Sequence, residues 1–204
     1  MSQLKLTADS GGGTVAIKGP ASTTGNAAIE LTVPGTASGT LAVGDTGKIL
    51  QVVSTTKTDA SSQVLSTGAL STDLLTVSIT PSNASNKILL MVSINISANN
   101  NAGQLLYLYK DSSVLTGAIG DASGSLERAS FGINPNQVNP DHQSFHFLDT
   151  AGGTSAITYS IRSKFARDDS NYTISINKQG VGDSYSGYHI GRYVSTYTAM
   201  EIAA

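Results

Sequence analysis

The sequence predicts an all-β protein whose residues 48–204 form a jelly-roll-like β-sandwich behind an extended, Gly-rich β/coil arm at residues 1–47. Three observations predict this. Apolar residues recur with period two in segment after segment, and no convincing helical period is found. Turn residues punctuate those segments at the spacing of a sandwich or barrel. Charged residues make up only 13% of the chain, with Ser, Thr, Asn and Gly in their place. That suits a β-rich, turn-rich surface more than long solvated helices.

The clearest segment is 86–97, NKILLMVSINIS. Successive side chains of a strand point to opposite faces. Ile88, Leu90, Val92, Ile94 and Ile96 therefore share one wholly apolar face, predicted as core. The other face reads Leu89, Met91, Ser93, Asn95 and Ser97, apolar at its start and running toward a wetter end. Leu89 and Met91 need cover from another strand or a neighbouring subunit, and are candidate interface residues.

The arm differs in kind. Residues 1–47 contain no aromatic side chain, and all twelve aromatics lie between Tyr107 and Tyr197. Short pieces around Val15–Ile17, Ile29–Val33 and Leu41–Val43 are separated by Gly- and Pro-containing turns. Such a segment cannot bury enough surface to offset its own ordering entropy. Its low charge and regular Val/Ile/Leu spacing are unlike a disordered tail, so ordering against other chains is expected.

Strands are predicted next at Gly47–Val53, which after Lys48 is apolar on both faces apart from Gln51, and as a short piece at Val64-Leu65. Asp73–Thr80 carries Leu75, Val77 and Ile79 on one face, and Pro81-Ser82-Asn83 turns into the opening strand. Gln104–Lys110 and Ser113–Ala118 follow. Residues 119–141 read as a long loop with one short strand near Leu126–Phe131. Later, Phe145 and Phe147 oppose His142, Ser144, His146 and Leu148; Ile157, Tyr159 and Ile161 alternate; so do Tyr172, Ile174 and Ile176. A Gly- and Tyr-rich loop at Gly180–Gly191 precedes a last strand at Arg192–Ile202. That strand must be paired or it leaves an open edge, and a jelly roll with its termini paired inside a sheet satisfies this.

Composition excludes several chemistries. Without cysteine there are no disulfides, thiolate metal sites or cysteine nucleophiles. Twelve basic against fourteen acidic residues, a net charge of -2, give no field for nucleic acid. No stretch reads as a membrane span, and Met-Ser-Gln-Leu-Lys-Leu does not begin a signal peptide. His142 and His146 share a strand face but stand about 13 Å apart, too far for one ion unless copies of one histidine meet on a symmetry axis. Asp141, His142 and Ser144 are sequence neighbours, which is not what defines a triad. Gly11-Gly12-Gly13-Thr14 lacks the ending and helix of a phosphate loop. Asp168-Asp169 and Asp183 read as solvated turn residues before calcium ligands. No catalytic residue, metal or cofactor is expected.

Tyrosines combine a flat apolar face with a hydroxyl, suiting sugar binding or subunit packing. Tyr185, Tyr188 and His189, in the Gly-rich loop, are the candidate glycan- or receptor-binding residues. Tyr193 and Tyr197, in the last strand, read as core or subunit interface.

The phrases GGGTVAIKGPASTTGNAAIELTVPG, GKILQVVSTTKTD, VSITPSNASNKILLMVSIN and the ending TAMEIAA resemble structural proteins of tailed bacteriophages, especially those infecting marine bacteria and cyanobacteria. Proteins of this kind are regarded as tail-fibre or related virion proteins, and the resemblance covers nearly the whole chain. It implies a homotrimer with an N-terminal shaft or attachment segment that engages other virion proteins, and a C-terminal sandwich head that contacts host surface glycan. Assembly in the infected cytoplasm fits the missing signal peptide. A capsid decoration, head fibre, or collar or adaptor piece without host recognition needs the same assembly physics. A polysaccharide depolymerase ordinarily needs a longer chain. The resemblance carries no catalytic residues.

Overall fold

The computed structural model describes residues 3–7, 14–18, 47–66, 68–99, 103–134, 140–165, 171–180 and 191–204. The chain divides into two compact units, Met1–Val43 and Gly44–Ala204. In the first, β1 (Gln3–Thr7) and β2 (Thr14–Lys18) form an antiparallel hairpin, with Thr7 paired to Thr14. The predicted Val15–Ile17 piece lies in β2, whereas β1 has no counterpart in the sequence reading. The pieces at 29–33 and 41–43 lie outside the described residues.

The second unit, the head, is an antiparallel β-sandwich. Its strands are β3 (Ile49–Lys57), β4 (Ser61–Leu65), β5 (Leu75–Ile79), β6 (Lys87–Ala98), β7 (Gln104–Lys110), β8 (Ser113–Val114), β9 (Phe131–Ile133), β10 (Asp141–Thr150), β11 (Ile157–Phe165), β12 (Tyr172–Ile176) and β13 (Ser195–Ile202). β6 pairs with β10 along one edge, and with β13 and then β12 along the other. β3 and β4 continue the sheet beyond β13 and β12. In the second sheet β11 lies between β5 and β7, and β8 and β9 share the far edge of β7. Counting β3/β4, β8/β9 and β12/β13 each as one interrupted strand gives eight positions. They are ordered 1-8-3-6 in one sheet and 2-7-4-5 in the other, which is the jelly-roll order. The last strand is an inner strand, as expected, whereas the first strand of the head is an edge.

β6 is the spine of the first sheet. Ile88, Leu90, Val92, Ile94 and Ile96 are all buried in the common core, as its alternation predicts. They meet Val77 and Ile79 of β5, Leu106 and Leu108 of β7, and Ile157, Tyr159 and Ile161 of β11 in one apolar cluster. Burying a side chain of this size is worth about 2 kcal/mol.

Boundaries moved where polar residues hid structure. β3 runs on through the Ser/Thr stretch to Lys57, because β13 supplies partners residue for residue as far as Ser195 opposite Lys57. Strand β8 stops at Val114, and a 3-10 turn spans Thr116–Ala118. The short strand placed near Leu126–Phe131 lies instead at Phe131–Ile133, and Leu126 is exposed. Ser97 is fully buried, not wet: its hydroxyl donates to the Lys178 carbonyl at 2.8 Å.

One side chain holds the interrupted strands in line. Asn177 ends β12 at φ +58°, a left-handed conformation that asparagine tolerates better than most residues. It is fully buried. Its Nδ2 donates to the carbonyls of Lys57 (2.7 Å) and Asp59 (3.1 Å), where β3 gives way to β4. Its Oδ1 accepts from Ser195 Oγ at 2.6 Å, where β13 begins. Both strand breaks are thus closed by one amide. Asn177→Ala should strip those partners and leave alanine in a strained backbone, lowering head stability by about 3 kcal/mol. In a thermal melt this is a fall of about 10 °C; an unchanged melt would show the junction to be held elsewhere.

Candidate functional site

The two outer faces of the sandwich differ. On the second sheet, Tyr107 and Tyr109 of β7 point away from the core yet are buried. The loop that follows β8 covers Tyr107: its Oη donates to Glu127 Oε1 at 2.9 Å, and Lys164 Nζ meets the same oxygen at 2.6 Å. The Arg162 guanidinium lies 4.4 Å from the Tyr109 ring centroid and bonds Asp73 at 2.6 Å. The long loop that the sequence flagged as functional therefore serves at residues 127–130 as a cover for its own sheet. Residues 135–139 of it lie outside the described set.

The outer face of the first sheet has no such cover among the described residues. Register aligns its side chains into rows, since directly opposed residues share a face. Leu148 of β10 stands opposite Leu89 of β6, Leu89 opposite Met200 of β13, and Met200 opposite Val52 of β3. This row crosses the whole sheet in aliphatic side chains. Leu148 is 52% exposed and Val52 54%, with Ile49 and Leu50 exposed beside them. The next row is His146, Met91, Thr198 and Ser54; the one after is Ser144, Ser93, Thr196 and Thr56. The face thus grades from apolar to hydroxyl-rich along the strands. Ser54 and Thr198 are bonded at 2.9 Å, and His142 Nε2 and Ser93 Oγ at 2.8 Å.

The sequence-derived residues fall unevenly on this map. Leu89 and Met91 are partly exposed members of the apolar end. Tyr197 is at 0% exposure within the single chain, so it is a core residue and not an interface one. Tyr193 precedes β13, half-buried, with its ring over Gly191, where a Cβ would stand 3.0 Å from its hydroxyl. Tyr185, Tyr188 and His189 lie outside the described residues, as do Asp168, Asp169 and Asp183. His142 and His146 both point outward from β10, as the alternation predicts. The sequence reading missed Leu148, Met200 and Val52 as surface residues. Leu148 could have been found, because it stands among His142, Ser144 and His146 on a polar face.

Two further features have their own geometry. A cavity of about 320 Å³ opens between β3 and the start of β5, lined by Thr55–Lys57, Asp59 and Asp73–Thr76. Both of its carboxylates are engaged: Asp59 with Lys57 at 2.6 Å, and Asp73 with Arg162 at 2.6 Å. The Lys57 bond holds Asp59 below the usual carboxylate range. Burial works to raise Asp73, but its bond to Arg162 outweighs that and lowers it. Neither carboxyl is available as a proton donor near neutral pH.

The second feature is Glu201, which points inward and is 1% exposed. Its Oε1 accepts from Ser82 N (2.7 Å), Ser82 Oγ (2.8 Å) and Asn86 Nδ2 (2.6 Å), and its Oε2 from Gln51 Nε2 (2.6 Å). Burial pushes its pKa up, yet the donors Asn86, Gln51 and Ser82 outweigh it and hold the group at about 2. It is a structural anion that ties β3, the turn before β6 and β13 together. No group of three or more His, Asp or Glu side chains suited to a metal ion occurs among the described residues.

These features define the class of protein: a jelly-roll module with one self-covered face and one that no described residue covers. No protein-family model and no curated protein matches the chain.

Proposed function

We propose that this chain is a structural protein of a tailed-bacteriophage particle, a trimeric fibre subunit whose arm attaches to other virion proteins or forms a short shaft. In this reading its head contacts glycan on the host surface, through the segment carrying Tyr185, Tyr188 and His189, and it has no enzymatic role.

The observation that carries the reading is the resemblance of four phrases distributed along the chain, from the arm to TAMEIAA at the end of β13. The fold is compatible with it, since a jelly roll can serve as a compact head. The bare apolar row supports association, because a soluble monomer rarely leaves such a face in water. The pairing of Asp59 and Asp73 with cations speaks against glycoside hydrolysis at the cavity they line, since that reaction ordinarily needs one carboxyl poised as an acid.

Light scattering of the purified full chain tests the oligomer. A 20.9 kDa chain should give three times its own mass at micromolar concentration. A stable monomer under those conditions overturns the proposal.

A further inference from the structure

We infer that the apolar end of the first sheet's outer face, built on the row Leu148–Leu89–Met200–Val52, is where copies of this chain pack against one another in the head. The inference rests on the fibre reading and assigns its subunit interface.

Four observations favour a second copy as the occupant. The chain covers the opposite sheet with its own loop, through Glu127 on Tyr107, and with Arg162 of β11 on Tyr109, and no described residue covers this one in the same way. The exposed row also continues onto an edge strand. Ile49, Leu50 and Val52 belong to β3, which among the described residues pairs only with β13, and a long apolar edge strand is a pairing hazard unless something occupies it.

Chain entry is at the same corner. Gly47, at φ +77°, donates its N–H to the Ala203 carbonyl at 2.7 Å, and Lys48 leads directly into Ile49. A contact beside the point where the chain enters the head is the one that tethering through neighbouring chains brings within reach.

Charge points the same way. The outward positions of β3, β6, β10 and β13 carry no Asp or Glu, and their one lysine, Lys87, is bonded to Thr150 at 2.8 Å. A surface that meets its own copy must not repel itself, and this one does not. A strongly charged partner would find nothing to pair with.

Area decides between a free-standing pair and an assembly tethered by its arms. The exposed aliphatic side chains leave on the order of 500 Å² in water, at the upper end of what a monomer shows. A stable pair buries about 800 Å² per partner. The head contact alone is therefore weak, and tethering through neighbouring arms raises its effective concentration.

The test uses the full chain and three arginine substitutions at exposed positions: Val52→Arg and Leu148→Arg within the row, and Leu126→Arg on the covering loop as a control. Leu126 is 74% exposed, so the control carries the same chemistry at another face. Sedimentation is measured from 0.1 to roughly 50 µM, a range that brackets ordinary subunit affinities, with circular dichroism to confirm the fold. The expected result is that Val52→Arg and Leu148→Arg each raise the dissociation constant at least tenfold, while Leu126→Arg matches wild type. Either row variant folding and associating as wild type overturns the inference and leaves the fibre reading standing. A monomeric wild type overturns both. If one row variant misfolds, the other decides.

Discussion

Val92→Asp should leave the head unfolded, whereas Met91→Asp, one residue earlier, should leave it folded. Val92 is 1% exposed at the centre of β6, opposite Phe145 on one side and Tyr197 on the other. The surrounding cluster is apolar, and of those two neighbours only Tyr197 carries a polar atom, its hydroxyl at the far end of the ring. The substitution forfeits about 2 kcal/mol of apolar burial. It then adds the cost of a buried acid, which must stay protonated or remain an uncompensated charge, at about 2–7 kcal/mol even when neutral. The total is comparable with the whole stability of a domain, about 5–15 kcal/mol. Val92→Ala, which only removes volume, should cost about 2 kcal/mol and still fold. Circular dichroism and urea melts of the three variants check this. A cooperative, wild-type-like melt for Val92→Asp would mean that β6 is turned by one residue relative to its described register, since a one-residue slip exchanges its two faces.

That contrast was legible in the sequence because it depends on one strand alone. Ile88 to Ile96 alternate with Leu89 to Ser97, and alternation assigns faces without knowledge of any neighbour. The inner faces of β5, β11 and β12 were read in the same way. The row Leu148–Leu89–Met200–Val52 was not legible. Its members come from four strands, and only pairing places them side by side. Val52 was hidden further in GKILQVV, a segment apolar on both faces, where alternation carries no information. Tyr197 shows the limit from another side: parity set it on one face of the last strand, but only the position of that strand inside the sheet made the face core. Asn177 left no trace in any pattern, because its role is to close two strand breaks that are far apart in sequence. The long loop at 119–141 looked functional for its length, yet its main contacts at Glu127 and Ser130 are to β7 and β11 of its own sheet.

Glu201 belongs with the legible residues in retrospect. It shares parity with Tyr197 and Ala199, so an acid sits on the inward face of the last strand, and such an acid must be satisfied or it would not be charged there. Four donors satisfy it, and none of them is a cation. Glu201→Gln keeps the shape but replaces one acceptor oxygen with an amide that donates. At Oε1 it would face Ser82 N and Asn86 Nδ2, and at Oε2 it would face Gln51 Nε2; either way two donors oppose each other. The expected loss at pH 7 is about 3 kcal/mol, a buried charged acceptor with its bonds broken. Acid should do reversibly what the substitution does permanently. The folded pKa lies near 2, below the ordinary glutamate value of 4.5. The stabilisation is therefore complete above pH 4.5 and is lost as pH falls toward 2. Asp59, Asp73 and Glu127 are also depressed and titrate in the same direction, so wild type alone cannot isolate the effect. The difference between wild type and Glu201→Gln can. Urea midpoints measured from pH 6 down to about pH 2.5 should converge as Glu201 takes up its proton. Parallel curves, with a constant gap at every pH, would show that the carboxylate is not what holds β3, the Ser82–Asn86 turn and β13 together.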